Sequence, residues 1–190
     1  MLRIKVKDNN LVFKSHPKLF SPQGLDAGTE AMLSQVVFVE GQRVLDLGCG
    51  YGIVGIVAAK MVGEENVVMI DNDPRAVQLA RENSLLNGVS RVKVYQSDGF
   101  KDFFETGFDL ILSNPPYHVD FSVPKAFIEK GFNRLAMGGK MYMVTKRHKW
   151  YKNKLVAIFG GVQVAEIDGY YVFMAEKRSM QYAKKRPRDK

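Results

Sequence analysis

Cysteine is almost missing from this chain of 190 residues: Cys49 stands alone, so no internal disulfide can form. No apolar run approaches the roughly eighteen residues that a membrane-spanning helix needs, and Met1 to Asn10 lack the apolar centre of a secretion signal. These absences argue against a disulfide-stapled secreted scaffold and against an integral membrane protein. A soluble, cytoplasmic protein with no membrane partner is expected. Repeats and linkers are absent as well. With 46% apolar and 25% charged residues, the chain has material for one hydrophobic core without metal or disulfide support. One domain over residues 1–178 is expected, with a hairpin in residues 1–19 appended, no metal site, a monomeric state and an unstructured tail over 179–190.

Acidic residues are missing from one stretch in particular. Lys146, Arg147, Lys149, Lys152 and Lys154 fall within ten residues free of Asp and Glu, a local charge of +5. At the end of the chain Lys184, Lys185, Arg186, Arg188 and Lys190 against Asp189 add +4, so the formal net charge of +8 leaves −1 for everything else. Cations concentrated in this way fit a polyanion, because neutralised phosphates release counterions and a positive field speeds encounter. By charge alone, a solvated helix face and a free tail would look the same.

Short apolar runs alternate with amphipathic stretches from Arg43 onward, the pattern of βαβ units stacked into a mostly parallel sheet. Strands are expected at Arg43 to Asp46, Val67 to Ile70, Val92 to Tyr95, Phe108 to Leu112, Lys140 to Val144 and Tyr171 to Ala175, with a weaker one at Val162 to Glu166. The clearest helix runs from Pro74 to Asn87, with Asp73 as N-cap and Gly88 at its C-terminal end. Asp168-Gly169 is a hairpin signal between the last two strands, which implies one antiparallel strand. The fold class is thus α/β, a doubly wound and mostly parallel seven-stranded sheet. Before it, Leu2 to Val6 and Leu11 to Phe13 read as a β-hairpin turning at Asp8-Asn9-Asn10, and a helix is expected from about Glu30 to Val39.

The strand ending at Asp46-Leu47 runs into Gly48-Cys49-Gly50-Tyr51-Gly52, a turn that bends sharply and lets a ligand approach the backbone. Gly50-Tyr51-Gly52-Ile53-Val54-Gly55 also satisfies the dinucleotide fingerprint, with Asp71 about twenty residues on. Asp46 separates the two readings: a carboxylate there would repel a pyrophosphate and suits a cation instead. S-adenosylmethionine carries an ammonium, a sulfonium and an adenosine ribose. Asp46 can face the ammonium side, Asp71, followed by Asn72, can accept both ribose hydroxyls, and Asp98, followed by Gly99, can accept from the adenine amino group. Each carboxylate alone would pass for a cap or a solvated loop end. Together they lie at successive strand ends, where open α/β sheets bind ligands. Asp73 reads as a helix cap, and Cys49 as a small side chain filling the turn, although a helix N-terminus could lower its pKa.

The fourth strand of the sheet ends in Ser113-Asn114-Pro115-Pro116-Tyr117-His118. An aromatic or amide amine is a poor nucleophile because its lone pair is delocalised, and hydrogen-bond acceptors draw that density back to nitrogen. The Asn114 side-chain carbonyl and the Pro115 backbone carbonyl can accept from such an amine, while Pro115 and Pro116 hold the turn rigid. Tyr117 offers a ring for a planar base. His118 reads equally as loop architecture or as a substrate contact.

With these residues in place the chain resembles class I S-adenosylmethionine-dependent methyltransferases of the "methyltransferase small" group, whose fold is Rossmann-like. Phe20, Ser21, Gly24, Leu25, Asp26 and Gly28 add a segment similar to one in the ribosomal RNA small-subunit methyltransferase C branch, whose members act on the guanine 2-amino group. The resemblance spans roughly residues 10–178. It implies that Asp26, Gly28 and Thr29 border the methionine end of the cofactor, that Asn114 also touches it, and that Asn114 to Tyr117 hold the target amine. Ribosomal RNA or a ribosomal subunit becomes the expected partner, with Lys146 to Lys154 on its phosphates. Members of that branch often carry a second N-terminal domain where this chain has only a hairpin, and Tyr117 stands where phenylalanine is common. Asn-Pro-Pro-Tyr also occurs in enzymes that methylate a protein glutamine or an adenine, so those substrates stay open. A nicotinamide-dependent oxidoreductase is the rival outside the class.

Overall fold

The computed structural model describes residues 1–19, 21, 23–116 and 119–183. Phe20, Tyr117, His118 and the terminal cations Lys184, Lys185, Arg186, Arg188 and Lys190, all singled out above, lie outside the described residues.

A two-stranded antiparallel hairpin, β1 (Leu2–Val6) and β2 (Asn9–Phe13), precedes α1 (Ala27–Gln35). The sheet and its helices follow as β3 (Val44–Leu47), α2 (Ile53–Val62), β4 (Val67–Asp71), α3 (Pro74–Leu86), β5 (Lys93–Gln96) and β6 (Phe108–Ser113). Then come α4 (Ser122–Arg134), β7 (Leu135–Thr145), α5 (His148–Phe159), β8 (Gln163–Ile167) and β9 (Tyr170–Glu176). The spatial order is β5-β4-β3-β6-β7-β9-β8. β9 is antiparallel to both neighbours, so it alone runs against the other strands, as the hairpin signal implied. Asp168 and Gly169 both take positive φ (50° and 79°), the turn whose twist suits such a hairpin.

The period of two in the strands sorts side chains onto two buried layers. Val44, Met69, Leu110, Leu112 and Val144 pack with α1, α2, α3 and the hairpin. Leu45, Leu47, Ile70, Ile111, Met141 and Met143 pack with α4 and α5. Chain order reverses direction in the sheet between β3 and β6, and the loops that leave these two strands part to opposite faces. A crevice opens at that switch point, beyond the strands' carboxyl ends.

The narrow buried stripe of α3 has a polar purpose. Asn87 exchanges two hydrogen bonds with the Val12 backbone (3.0 and 2.8 Å), and Asn83 exchanges two with Lys14 (2.8 and 2.9 Å) while also donating to the Tyr51 carbonyl at 2.8 Å. These two amides stand in for a neighbouring strand, so the hairpin is docked and its edge groups are satisfied.

Three expectations need correcting. The first helix spans Ala27–Gln35 and not Glu30 to Val39, because Asp26 caps it by accepting from the Thr29 N–H at 2.9 Å and the β-branched run after Gln35 leaves it in extended conformation. The first hairpin turns at Lys7-Asp8 (φ 45° and 64°), not at Asp8 to Asn10, since Val6 pairs with Asn9. Structure also continues past Ser179: the Tyr182 hydroxyl donates to the Glu129 carbonyl (3.0 Å), and the Ala183 N–H donates to the Ile158 carbonyl (2.9 Å).

Candidate active site

The glycine turn is built from the backbone of β4. The N–H groups of Gly48 and Cys49 both donate to the Ile70 carbonyl (2.9 and 3.0 Å), and the Gly50 N–H donates to Asp71 Oδ2 at 2.8 Å. Gly48 and Gly50 take φ values of 77° and 54°, and a Cβ placed on either would meet nothing within 4 Å. Space beside a backbone that only glycine adopts easily is what close approach of a ligand requires. Gly52 plays another part. It is the N-cap of α2, and a Cβ there would come within 3.3 Å of Ala80, so it lets α2 and α3 pack closely.

Asp46, in β3 just before this turn, is buried, 2% exposed, and its Oδ2 accepts from the Gly55 N–H at 2.8 Å. Gly55 suits the same packing, since a Cβ there would collide with the buried Met69 side chain. Burial, with the nearby Asp71 charge adding to it, pushes the Asp46 carboxyl from the usual 3.8 up to about 7 against the pull of the Gly55 N–H. The native protein therefore keeps a proton between about pH 4 and pH 7 that the unfolded chain has released. Stability from this group is full below about pH 4 and is lost as pH rises through 7, by roughly 4 kcal/mol in all. Asp46→Asn keeps an acceptor for Gly55 and should flatten that decline. Urea denaturation of both proteins across this range checks it, and parallel pH profiles would contradict it.

Asp71, at the end of β4, holds the turn from the other side, accepting from Gly50 through Oδ2 and from the Asp73 N–H through Oδ1 at 2.9 Å. Burial raises its carboxyl above the usual range although both N–H groups oppose the shift. The Cys49 thiol is pushed well above its ordinary value by burial and by the Asp46 and Asp71 charges, which disfavours the thiolate. Asp73 caps α3 through the Arg75 N–H at 2.9 Å, as expected.

The second loop leaves β6. Ser113 Oγ donates to the Leu47 carbonyl (2.8 Å), tying the ends of β6 and β3 together. Asn114 Nδ2 then donates to Asp26 Oδ2 at 2.8 Å and to Thr29 Oγ1 at 2.9 Å. With both amide hydrogens placed, the side chain cannot flip without losing them, and its oxygen must point the other way. Asn114 Oδ1 is buried and has no hydrogen-bond partner among the described residues. An orphan acceptor in a buried position costs free energy unless something arrives to donate to it.

These loops surround one cavity of about 340 Å³. Of the residues expected from sequence, Asp26, Thr29, Asp46, Gly48, Cys49, Gly50, Asp71, Asn72, Asp98, Gly99, Asn114, Pro115 and Pro116 line it. Gly28 and Gly52 do not: Gly28 is buried under the Tyr170 ring, which a Cβ would meet at 2.8 Å. Asp98 lies at the exposed rim and forms an ion pair with Lys101. Two contributors escaped the sequence reading. Tyr51 sends its hydroxyl to the carbonyls of Ser21 and Gly24 (2.9 and 3.0 Å), pinning the loop that leads to Asp26, and burial lifts its phenol to about 12. Phe127 of α4 reaches over Gly99 and closes that end. The aromatic character of either residue was visible, but its placement depends on tertiary packing.

The basic segment begins at the end of β7 and enters α5. Lys146, Arg147, Lys149 and Lys152 are exposed, with no ion pair among the described residues. Lys154 departs from the expected basic face: its amine pairs with Glu129 of α4 and its side chain is 19% exposed. Among the described residues there is no group of three or more His, Cys, Asp and Glu that could hold a metal, and no helix long and apolar enough to cross a membrane.

A family model described as the methyltransferase small domain matches residues 10–174. An uncharacterized protein of Bacillus subtilis, YbxB, is 34% identical over 181 residues, which cover 91% of this chain and 89% of that one. The ribosomal RNA large subunit methyltransferase G of Pseudomonas entomophila is 33% identical over 183 residues, 92% of this chain and 49% of its own length. Among solved structures, the 16S rRNA N2 methyltransferase RsmC of T. thermophilus, in complex with AdoMet and guanosine, superposes with a TM-score of 0.84 at 29% identity. That match covers 93% of this chain and 50% of the other, so the chain spans about half the length of the named rRNA enzymes.

Proposed function

The chain belongs to the methyltransferase small domain family, and from that premise we propose that it is an S-adenosylmethionine-dependent methyltransferase acting on the 2-amino group of a guanine in ribosomal RNA. The named relatives and the AdoMet-bound neighbour support the cofactor and the class of substrate. The observation that carries the reading is the buried, unpartnered Oδ1 of Asn114, held by Asp26 and Thr29 in the one orientation that presents an acceptor.

The cavity residues fit the cofactor chemically. Open space beside Gly48 and Gly50 suits a close ligand, and a volume of about 340 Å³ is in the range of small-molecule sites. S-adenosylmethionine supplies an electrophilic methyl group on a cationic sulfonium. In this reading Asp71 accepts from the ribose hydroxyls, Asp98 from the adenine amino group, and Asn72 and Gly99 border the base. Asp46, Asp26 and Thr29 face the methionine end, where an ammonium favours the ionised form of Asp46.

Asn114 Oδ1 and the Pro115 carbonyl accept the two hydrogens of the incoming amine. Those bonds return lone-pair density to nitrogen, and the rigid Pro115-Pro116 turn means the acceptors need not reorganise as attack proceeds. The methylated nitrogen is a strong acid, so its proton passes to water and a general base is not needed.

Substituting the exposed cations tests RNA against a protein glutamine as substrate. Lys149→Gln with Lys152→Gln should weaken RNA binding at low salt and reduce the slope of log affinity against log salt by about 0.7 per lysine removed on a single strand. Titrations at several salt concentrations read this. An unchanged slope, or activity indifferent to both substitutions, would favour a protein substrate.

A further inference from the structure

Outside the cavity the described residues form a cluster that the reaction itself does not use. Phe121 and Trp150 stack with ring centroids 4.5 Å apart and planes 23° from parallel, and the Arg147 guanidinium lies 4.9 Å from the Phe121 centroid. Phe121 just precedes α4 and is 38% exposed, while Arg147 and Trp150 belong to the start of α5. Three planar groups are thus gathered here, Phe121 and Arg147 exposed and Trp150 partly buried against the core beneath. Val119 and Val123, on either side of Phe121, line the cavity, so the stack is continuous with its mouth. The exposed Lys146, Lys149 and Lys152 stand within a few residues of Arg147 and Trp150 in the chain. The adjacent Asp120 is turned to the start of α4, where it accepts from the Ser122 N–H at 2.6 Å.

We propose that the Arg147, Phe121 and Trp150 stack is a docking platform for an unpaired RNA base flanking the methylated nucleotide, with the neighbouring lysines on its phosphates. The proposal rests on the reading of the substrate as RNA. Aromatic faces and a guanidinium plane stack any base, and the lysines add charge complementarity that an apolar protein partner would not require. A duplex keeps its base faces covered, so the platform selects single strands.

Trp150 is the single tryptophan of the chain, so its fluorescence reports on the platform directly. The protein is titrated with a single-stranded oligoribonucleotide of about ten residues containing one guanine, then with a duplex of equal length and with polyglutamate. Saturable quenching by the single strand is expected, with far weaker quenching by the duplex. Phe121→Leu keeps apolar bulk but removes the ring face, and should weaken single-strand affinity by about 10-fold; Phe121→Tyr should restore it to within about 2-fold. Unchanged affinity in a folded Phe121→Leu protein, equal quenching by duplex, or quenching by polyglutamate alone would overturn the platform. Methyl transfer to the same RNA is followed in parallel. Wild-type transfer that Phe121→Leu leaves intact removes the platform and keeps RNA as substrate. Quenching by RNA with no methyl transfer to it, and label appearing instead in protein, keeps the platform and removes the RNA reaction.

Discussion

Asn114→Ala should lower the rate of methyl transfer by about 10²- to 10³-fold while leaving affinity for S-adenosylmethionine within a few-fold of the parent. The magnitude is that of removing one preorganised polar group aimed at a reacting centre. Its cause is specific to this site, because Asn114 Oδ1 is buried, unpartnered among the described residues, and fixed by two bonds from Nδ2. Folding should survive the change. Asp26 Oδ2 keeps its bond from the Thr29 N–H, so α1 remains capped, and Ser113 still ties β6 to Leu47 of β3. Single-turnover kinetics beside equilibrium cofactor binding separate the two effects. Unchanged turnover would remove Asn114 from its role, and loss of cofactor binding equal to the loss of rate would make it a cofactor ligand only.

Asp71→Ala carries the second large expectation: cofactor affinity should fall by about 10- to 100-fold, the range for hydrogen bonds to a charged group. Two losses add here. The proposed partner of the ribose hydroxyls disappears, and the N–H groups of Gly50 and Asp73 lose the acceptor that shapes the glycine turn. Asp71→Asn retains one acceptor oxygen and should fall between the two. Calorimetric titration of the three proteins measures the series, and an affinity within about two-fold of the parent for Asp71→Ala would contradict it.

Local chemistry explains what could be read from sequence. Asp73, Pro74 and Gly88 bracket α3 because capping needs only neighbours in the chain, and Asp168-Gly169 fixes a hairpin for the same reason. The glycine turn was legible as a sharp bend since its backbone conformation demands particular residues. Long-range pairing was not legible. Nothing near Asn114 in the chain announces that its amide will meet Asp26 and Thr29, which approach only because α1 packs beside β7 and β9. Gly28 and Gly52, expected against the cofactor, lie outside the cavity lining and close to Tyr170 and Ala80. A glycine needed for close packing and one needed for a ligand look alike in a sequence. Lys154 gives the same lesson for charge, since its neutralising partner Glu129 sits on the preceding helix.

In the proposed reaction the crevice between β3 and β6 presents Asn114 to a guanine amine of ribosomal RNA. The most direct measurement is incubation with methyl-labelled S-adenosylmethionine and ribosomal RNA, free and within subunits, followed by digestion and nucleoside analysis. Label in N2-methylguanosine, absent with Asn114→Ala, is the expected result. Label in methyladenosine or in protein glutamine, or no transfer to any of these RNAs, would contradict the account.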